Sequence, residues 1–160
     1  MAVDMFLKLS GIEGESRDDK HKKEVDVLAW SWGMSNSANA HMGGGSGAGK
    51  VNVHDLSITK YVDSGSHLLM KHACDGTHIP EATLTVRKAG GTAVEYIIIK
   101  MKQVFVSSVS TGGSGGEDRL TENVSLNFAE YEYAYTPQSD KGAAEAKKEF
   151  KYSIAENKVK

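Results

Sequence analysis

Apolar and polar side chains alternate along most of this chain with a period of two, the spacing of strands that bury one face and wet the other. The first such run, MFLKLSG, sets Phe6 apart from Met5, Leu7 and Leu9. A polar turn follows, GESRDDKHKKE. Residues 25–34, VDVLAWSWGM, then place Leu28, Trp30, Trp32 and Met34 on one face and Val27, Ala29, Ser31 and Gly33 on the other. One face is bulky and the other nearly bare, and a bare strand face either packs against another backbone or lines something.

Two longer runs change phase. In VNVHDLSITKYV, Val51 and Val53 share a face, but the apolar positions pass to Leu56 and Ile58, which predicts a bulge or bend near His54 and Asp55. In VSLNFAEYEYAYTP, Val124, Leu126 and Phe128 share one face and Tyr131, Tyr133 and Tyr135 the other. Strands that exchange their buried face belong to closed or sharply curved sheets. EATLTVRKAG alternates with Ala82, Leu84 and Val86 inward, and a turn at Gly90 and Gly91 joins it to VEYIIIKMKQVFVSSVS as a hairpin. There Ile97, Ile99, Met101 and Phe105 fall on one side and Tyr96, Ile98, Val104 and Val106 on the other, predicting a strand covered on both faces.

One stretch predicts a helix, about residues 64–75. Ser64 or Ser66 caps its start, Gly76 ends it, and Leu68, Leu69, His72 and Ala73 share its inner face. GAAEAKKEF predicts a turn or short helix leading to a terminal strand with Phe150, Tyr152 and Ile154. The pattern as a whole predicts a mainly β protein, a small closed barrel of antiparallel strands with one flanking helix, in one domain spanning 1–160.

Composition narrows the function. The 160 residues carry 19 Lys and Arg against 21 Asp and Glu, a net charge of −2, so the basic face of a nucleic-acid binder is not expected. A single cysteine, Cys74, permits no intrachain disulfide and reads as a small buried hydrophobe of a protein folded in a reducing compartment. The N-terminus has Asp4 and Lys8 within its apolar stretch, unlike a Sec signal, and the run from Tyr96 to Ile99 is too short to span a bilayer. No membrane insertion is expected. Glycine stands out: nine of the 17 lie in two stretches, GGGSGAG at 43–49 and GGSGG at 112–116.

Candidate chemistry is sparse. Gly44 to Lys50 fits Gly-x-x-x-x-Gly-Lys, yet Val51 stands where a phosphate loop needs a hydroxyl for magnesium, and a strand rather than a helix follows. His67, His72, Cys74 and His78 are zinc-capable side chains at a spacing that matches no compact zinc pattern. Glu117 and Asp118 beside Arg119 read as a solvated loop. No nucleophile elbow is present, and the sequon at Asn123-Val124-Ser125 falls inside a predicted strand. These residues predict no catalytic site, no metal and no cofactor.

Several phrases together carry a family resemblance: MAVDMFLKLSGIEGES, DVLAWSWGMS followed by HMGGGSGAGKVNV, TKYVD, LTVRKAGG and VSSVSTGGSGGEDRLTENVSLNF. Over residues 1 to 135 the chain resembles the hemolysin-coregulated proteins, Hcp, of bacterial type VI secretion, in particular their glycine-rich Pseudomonas-like branch. The resemblance implies a β-barrel with a flanking helix, assembled as a homohexameric ring whose copies stack into the inner tube of a contractile injector. It further implies secreted effectors held in the ring lumen, a tip spike protein and a sheath as partners, and export without a Sec signal after folding in the cytoplasm. With Trp30 and Trp32 in the barrel core, Ser31 faces the pore in that geometry. The glycine-rich loops, Gly43, Gly44, Gly45, Ser46, Gly47 and Gly49 with Gly112, Gly113, Gly115 and Gly116, are expected at contacts between rings, where glycine lets backbones approach. The alternative from the residues alone is a monomeric or dimeric soluble barrel that binds a small ligand or polysaccharide.

Overall fold

A computed structural model of the chain describes residues 2–38, 49–88 and 93–160. In chain order its elements are β1 (Val3–Leu9), β2 (Val25–Ser31), β3 (Met34–Asn36), β4 (Val51–Val53), β5 (Leu56–Tyr61), α1 (Ser66–Asp75), β6 (Ile79–Lys88), β7 (Glu95–Thr111), β8 (Thr121–Asn127), β9 (Glu130–Tyr135), β10 (Lys148–Ser153) and β11 (Lys158–Val159). Six of them close on one another, all antiparallel, as β1-β2-β5-β8-β7-β6 and back to β1. The predicted barrel is present. β9, β10 and β11 extend the sheet outward from β7, and β3 and β4 form a separate hairpin.

The core fills from the alternating positions. Leu7, Val25, Leu56, Ile58, Leu84, Ile99, Met101, Val106 and Leu126 are among the side chains that pack together with almost no exposure. Ala82, Leu84 and Val86 are inward, as their pattern predicts. β7 departs from simple parity. Ile99 and Met101 are buried, yet so are Val104 and Val106, which alternation assigns to the opposite face. Gln103 lies between them at a φ of 52°, and this left-handed residue turns the strand so that both halves address the core. The first half of β7 pairs with β9 and the second with β8, across a break at Phe128 and Ala129. The tyrosine phase change thus marks the place where one long partner of β7 divides into two strands.

β2 also corrects the reading of its faces. Val25 and Val27 are buried, whereas Leu28, placed with the tryptophans by parity, is 39% exposed. The register with β5 shifts between Val27 and Ala29, and the bulge hands the inward role to Trp30. Near His54 and Asp55 the bend is a full break between β4 and β5.

The helix is capped by neither candidate serine but by the residue between them. Gly65 is the N-cap, with no side-chain cap, because the Ser66 hydroxyl is drawn into the barrel end; Gly76 closes the helix at a φ of 73°, a conformation that favours glycine. Leu69 is fully buried, with Leu68 and Ala73 packed beside it. Cys74, one step around the helix, is exposed and not the buried hydrophobe expected. Residues 142–147 form no helix, and Ile154 lies just past β10.

The polar segment 13–24 is more than a turn. It straps the outer side of β1 and β6: His21 stacks on Phe6 with centroids 4.5 Å apart, and its ring nitrogens lie 2.7 Å from Glu24 and 2.8 Å from Glu95. Arg87 of β6 binds Asp18 at 2.5 Å and Asp4 at 3.2 Å. That guanidinium, donating to Asp18, holds the Asp18 carboxyl well below the usual aspartate range, at about 2.

Candidate functional site

β2, β5, β8 and the second half of β7 form a four-stranded wall whose inner face is barrel core. Its outer face follows from the same alternation: if Leu56, Ile58, Val124 and Leu126 point in, Asp55, Ser57, Thr59, Asn123, Ser125 and Asn127 point out. Register then lines up small polar residues across the strands. Ser31 of β2 lies opposite Ser57 of β5, Ser57 opposite Ser125 of β8, and Ser125 opposite Ser108 of β7. The next row is Ala29, Thr59, Asn123 and Ser110.

These side chains bond mostly to one another. The Ser57 and Ser125 hydroxyls are 3.2 Å apart, and the Thr59 hydroxyl donates to Asn123 Oδ1 at 2.7 Å. At one end of the face, Asp55 accepts from the Ser107 hydroxyl at 2.6 Å and from Asn127 Nδ2 at 2.9 Å. At the other end Arg119 lies over the Tyr61 ring, 3.7 Å from its centroid. The wall is therefore smooth, hydroxyl-rich and neutral between its two ends.

The wall has an open edge on each side. β2 meets β1 only at Val25 and Asp26, so Ala29 to Ser31 pair with β5 alone. β7 meets β6 no further than Val104, so Phe105 to Thr111 pair with β8 alone. The two edges come from different strands and lie on opposite sides of one sheet.

Behind the wall lies a buried ionic group. Lys60 and Glu122 face each other across β5 and β8 with fully buried side chains in direct contact. Lys60 Nζ also reaches Asp63 at 3.1 Å and the Ser66 hydroxyl at 3.2 Å, and that hydroxyl donates to Glu122 at 2.5 Å. This network ties the N-terminus of α1 to two wall strands.

The glycine-rich stretches attach at opposite ends of the wall. Gly112, Gly113, Gly115 and Gly116 lie in the exposed connection from β7 to β8, at the Tyr61 end, with Gly113 against the Leu120 side chain. The other stretch departs at the Asp55 end through the β3–β4 hairpin. Its last glycine, Gly49, accepts a hydrogen bond from Asn36 Nδ2 at 2.8 Å, and a Cβ there would collide with the backbone of Ser37 and Ala38. Gly43, Gly44, Gly45, Ser46 and Gly47 lie outside the described residues, as do Gly90 and Gly91.

The weaker sequence candidates are not brought together. His67 is exposed, His72 is half-buried and His78 lies tilted against Phe105, and among the described residues no three His, Cys, Asp or Glu side chains form a metal-sized group. No helix among them is long and apolar enough to cross a membrane. Sequence reasoning missed Asp55 and the Lys60–Glu122 pair. The pair carried a signal: Lys60 is in phase with Leu56 and Ile58, and Glu122 with Val124 and Leu126.

The described residues thus form a closed antiparallel barrel with one short helix, a smooth polar outer wall and unpaired edges. Residues 6–135 match the family model described as type VI secretion system effector, Hcp. The chain is 65% identical over 144 residues to Protein hcp1 of Pseudomonas aeruginosa, covering 89% of each. Among solved structures it is similar to one titled as a type six secretion system protein, at 34% identity and a TM-score of 0.93, covering 99% of this chain and 100% of that one. It is also similar to Hcp1 from Salmonella typhimurium, at 35% identity and a TM-score of 0.79, covering 100% of each chain. The chain belongs to the Hcp family of type VI secretion proteins, a family of structural secretion proteins and not of enzymes.

Proposed function

We propose that this chain is the subunit of the secretion inner tube: it forms hexameric rings that stack, carries secreted effectors in the ring lumen, and meets a tip spike protein and a sheath. It folds in the cytoplasm and leaves without a Sec signal. The observation that carries the reading is the wall, with one polar face that is neutral between its ends and two unlike open edges. Pairing the β7 edge of one copy with the β2 edge of the next is a heterologous contact, which closes into a ring when the rotation suits. Six four-stranded walls at about 4.8 Å per strand give a circumference near ~115 Å and a bore of roughly 37 Å. That bore admits a small folded protein, whose radius of gyration is about 13 Å for 100 residues. In this reading Ser31 lies on the face that lines the bore, and the two glycine-rich stretches serve contacts between stacked rings.

Light scattering should return a mass close to six times 17.2 kDa, and negative-stain images should show annular particles. Ser31→Gln should preserve that mass while lowering effector retention. A particle of 17.2 kDa would instead support a ligand-binding monomer and overturn the ring.

A further inference from the structure

Asp55 is the one carboxylate at its end of the wall, the other outward charges, Asp26 and Arg119, standing at the Tyr61 end. Of the outward positions Ala29, Ser31, Ser57, Thr59, Asn123, Ser125, Asn127, Ser107, Ser108 and Ser110, none carries a charge. The carboxylate is held from two neighbouring strands, one oxygen by Ser107 Oγ and the other by Asn127 Nδ2. Both donors are neutral, so they orient the charge without cancelling it, and no Lys, Arg or His lies within ion-pair distance of Asp55 among the described residues. The corner that carries it is fixed as well: the indole of Trp32 donates to the His54 carbonyl at 2.9 Å, and the His54 N–H donates to the Gly33 carbonyl at 2.9 Å. A carboxylate oxygen has more than one acceptor direction, and among the described residues each oxygen of Asp55 has a single side-chain donor.

We propose that Asp55 is a specificity-determining residue of the wall, taking a cationic side chain, above all an arginine, from the protein segment that lies against it. A guanidinium matches a pre-oriented carboxylate with paired N–H donors, and the hydroxyl-rich surroundings supply no competing cation. This rests on the ring reading for its strength. Six copies around one bore place six carboxylates at one level, so a cargo with a basic pole meets several contacts at once and an acidic one is repelled.

The test uses the full chain and two labelled peptides, hexa-arginine and the isosteric, neutral hexa-citrulline, followed by fluorescence anisotropy. Wild-type protein should prefer hexa-arginine by about ten-fold at roughly 50 mM salt, with a smaller margin at roughly 300 mM as screening shortens the reach of the charge. Asp55→Asn, which keeps the shape and a hydrogen bond, should cut the margin to about two-fold or less, and Asp55→Glu should retain most of it. An unchanged margin in Asp55→Asn, or no margin in the wild type, overturns the proposal. Sizing the same samples separates it from the ring: rings with a margin indifferent to Asp55 leave the ring standing and remove the proposal. A monomer whose margin depends on Asp55 removes the ring and keeps the carboxylate as a cation site.

Discussion

Lys60 and Glu122 are fully buried, and each stands directly across a strand pair from the other. Burying both charges is costly, and their contact together with Ser66 and Asp63 compensates for it. Removing one partner leaves the other charged in the core, at a cost of about 3–5 kcal/mol. Lys60→Met should therefore lower Tm by roughly 10 °C for a chain of this length. Lys60→Met with Glu122→Leu should recover more than half of that in thermal melts, since no lone charge remains. Alternation made both positions legible as inward, but only the β5–β8 register shows that they meet. Arg87 was not legible in that way, because the polar strap, and not a strand face, buries it. Its partner Asp18 gives a pH signature. With its folded pKa lowered to about 2 against roughly 3.9 in an unfolded chain, Asp18 binds fewer protons folded than unfolded. Its stabilisation is complete above about pH 4 and fades as pH falls toward 2. Melts of Asp18→Asn between those limits should show a shallower loss of Tm with acid than the wild type.

At the scale of elements, turns and breaks decide more than propensity. β7 runs 17 residues as one strand, yet Gln103 divides it into halves that serve different neighbours. Period two predicted the strand and misassigned Val104 and Val106, because one left-handed residue reverses parity for everything after it. The bulge in β2 does the same to Leu28. The helix was legible from its apolar face and Gly76, while its N-cap was not, since Ser66 is claimed by Glu122 and Lys60. Among the connections, the glycine stretch at 43–49 leaves from a stem closed by Asn36 and Gly49. Deleting 43–49 should leave rings intact on a sizing column and abolish tubes in electron micrographs; tubes of normal length would show that the stretch does not join rings.

The whole molecule is a barrel whose wall is incompletely paired at two places, and the proposed ring rests on that incompleteness. Leu28 stands 39% exposed beside the free part of β2, an apolar side chain at an open edge. Leu28→Glu should keep the thermal transition within about 0.5 kcal/mol of wild type, as surface changes do, while shifting the light-scattering mass toward 17.2 kDa. Retained rings would place the contact elsewhere. By itself the sequence determined the strand-rich class, the helix, the core residues of β5, β6 and β8, and, through its shared phrases, the Hcp family. These follow from local periodicity and from residue identity, which need no partner to be read. The strand order around the barrel, the serine row from Ser31 to Ser108, the buried Lys60 pair, the strap over Phe6 and the placing of Asp55 at one end of the wall were decided only by tertiary structure. Each depends on register between strands distant in the chain, and a single bulge or left-handed residue resets that register without leaving a mark in the hydrophobic pattern.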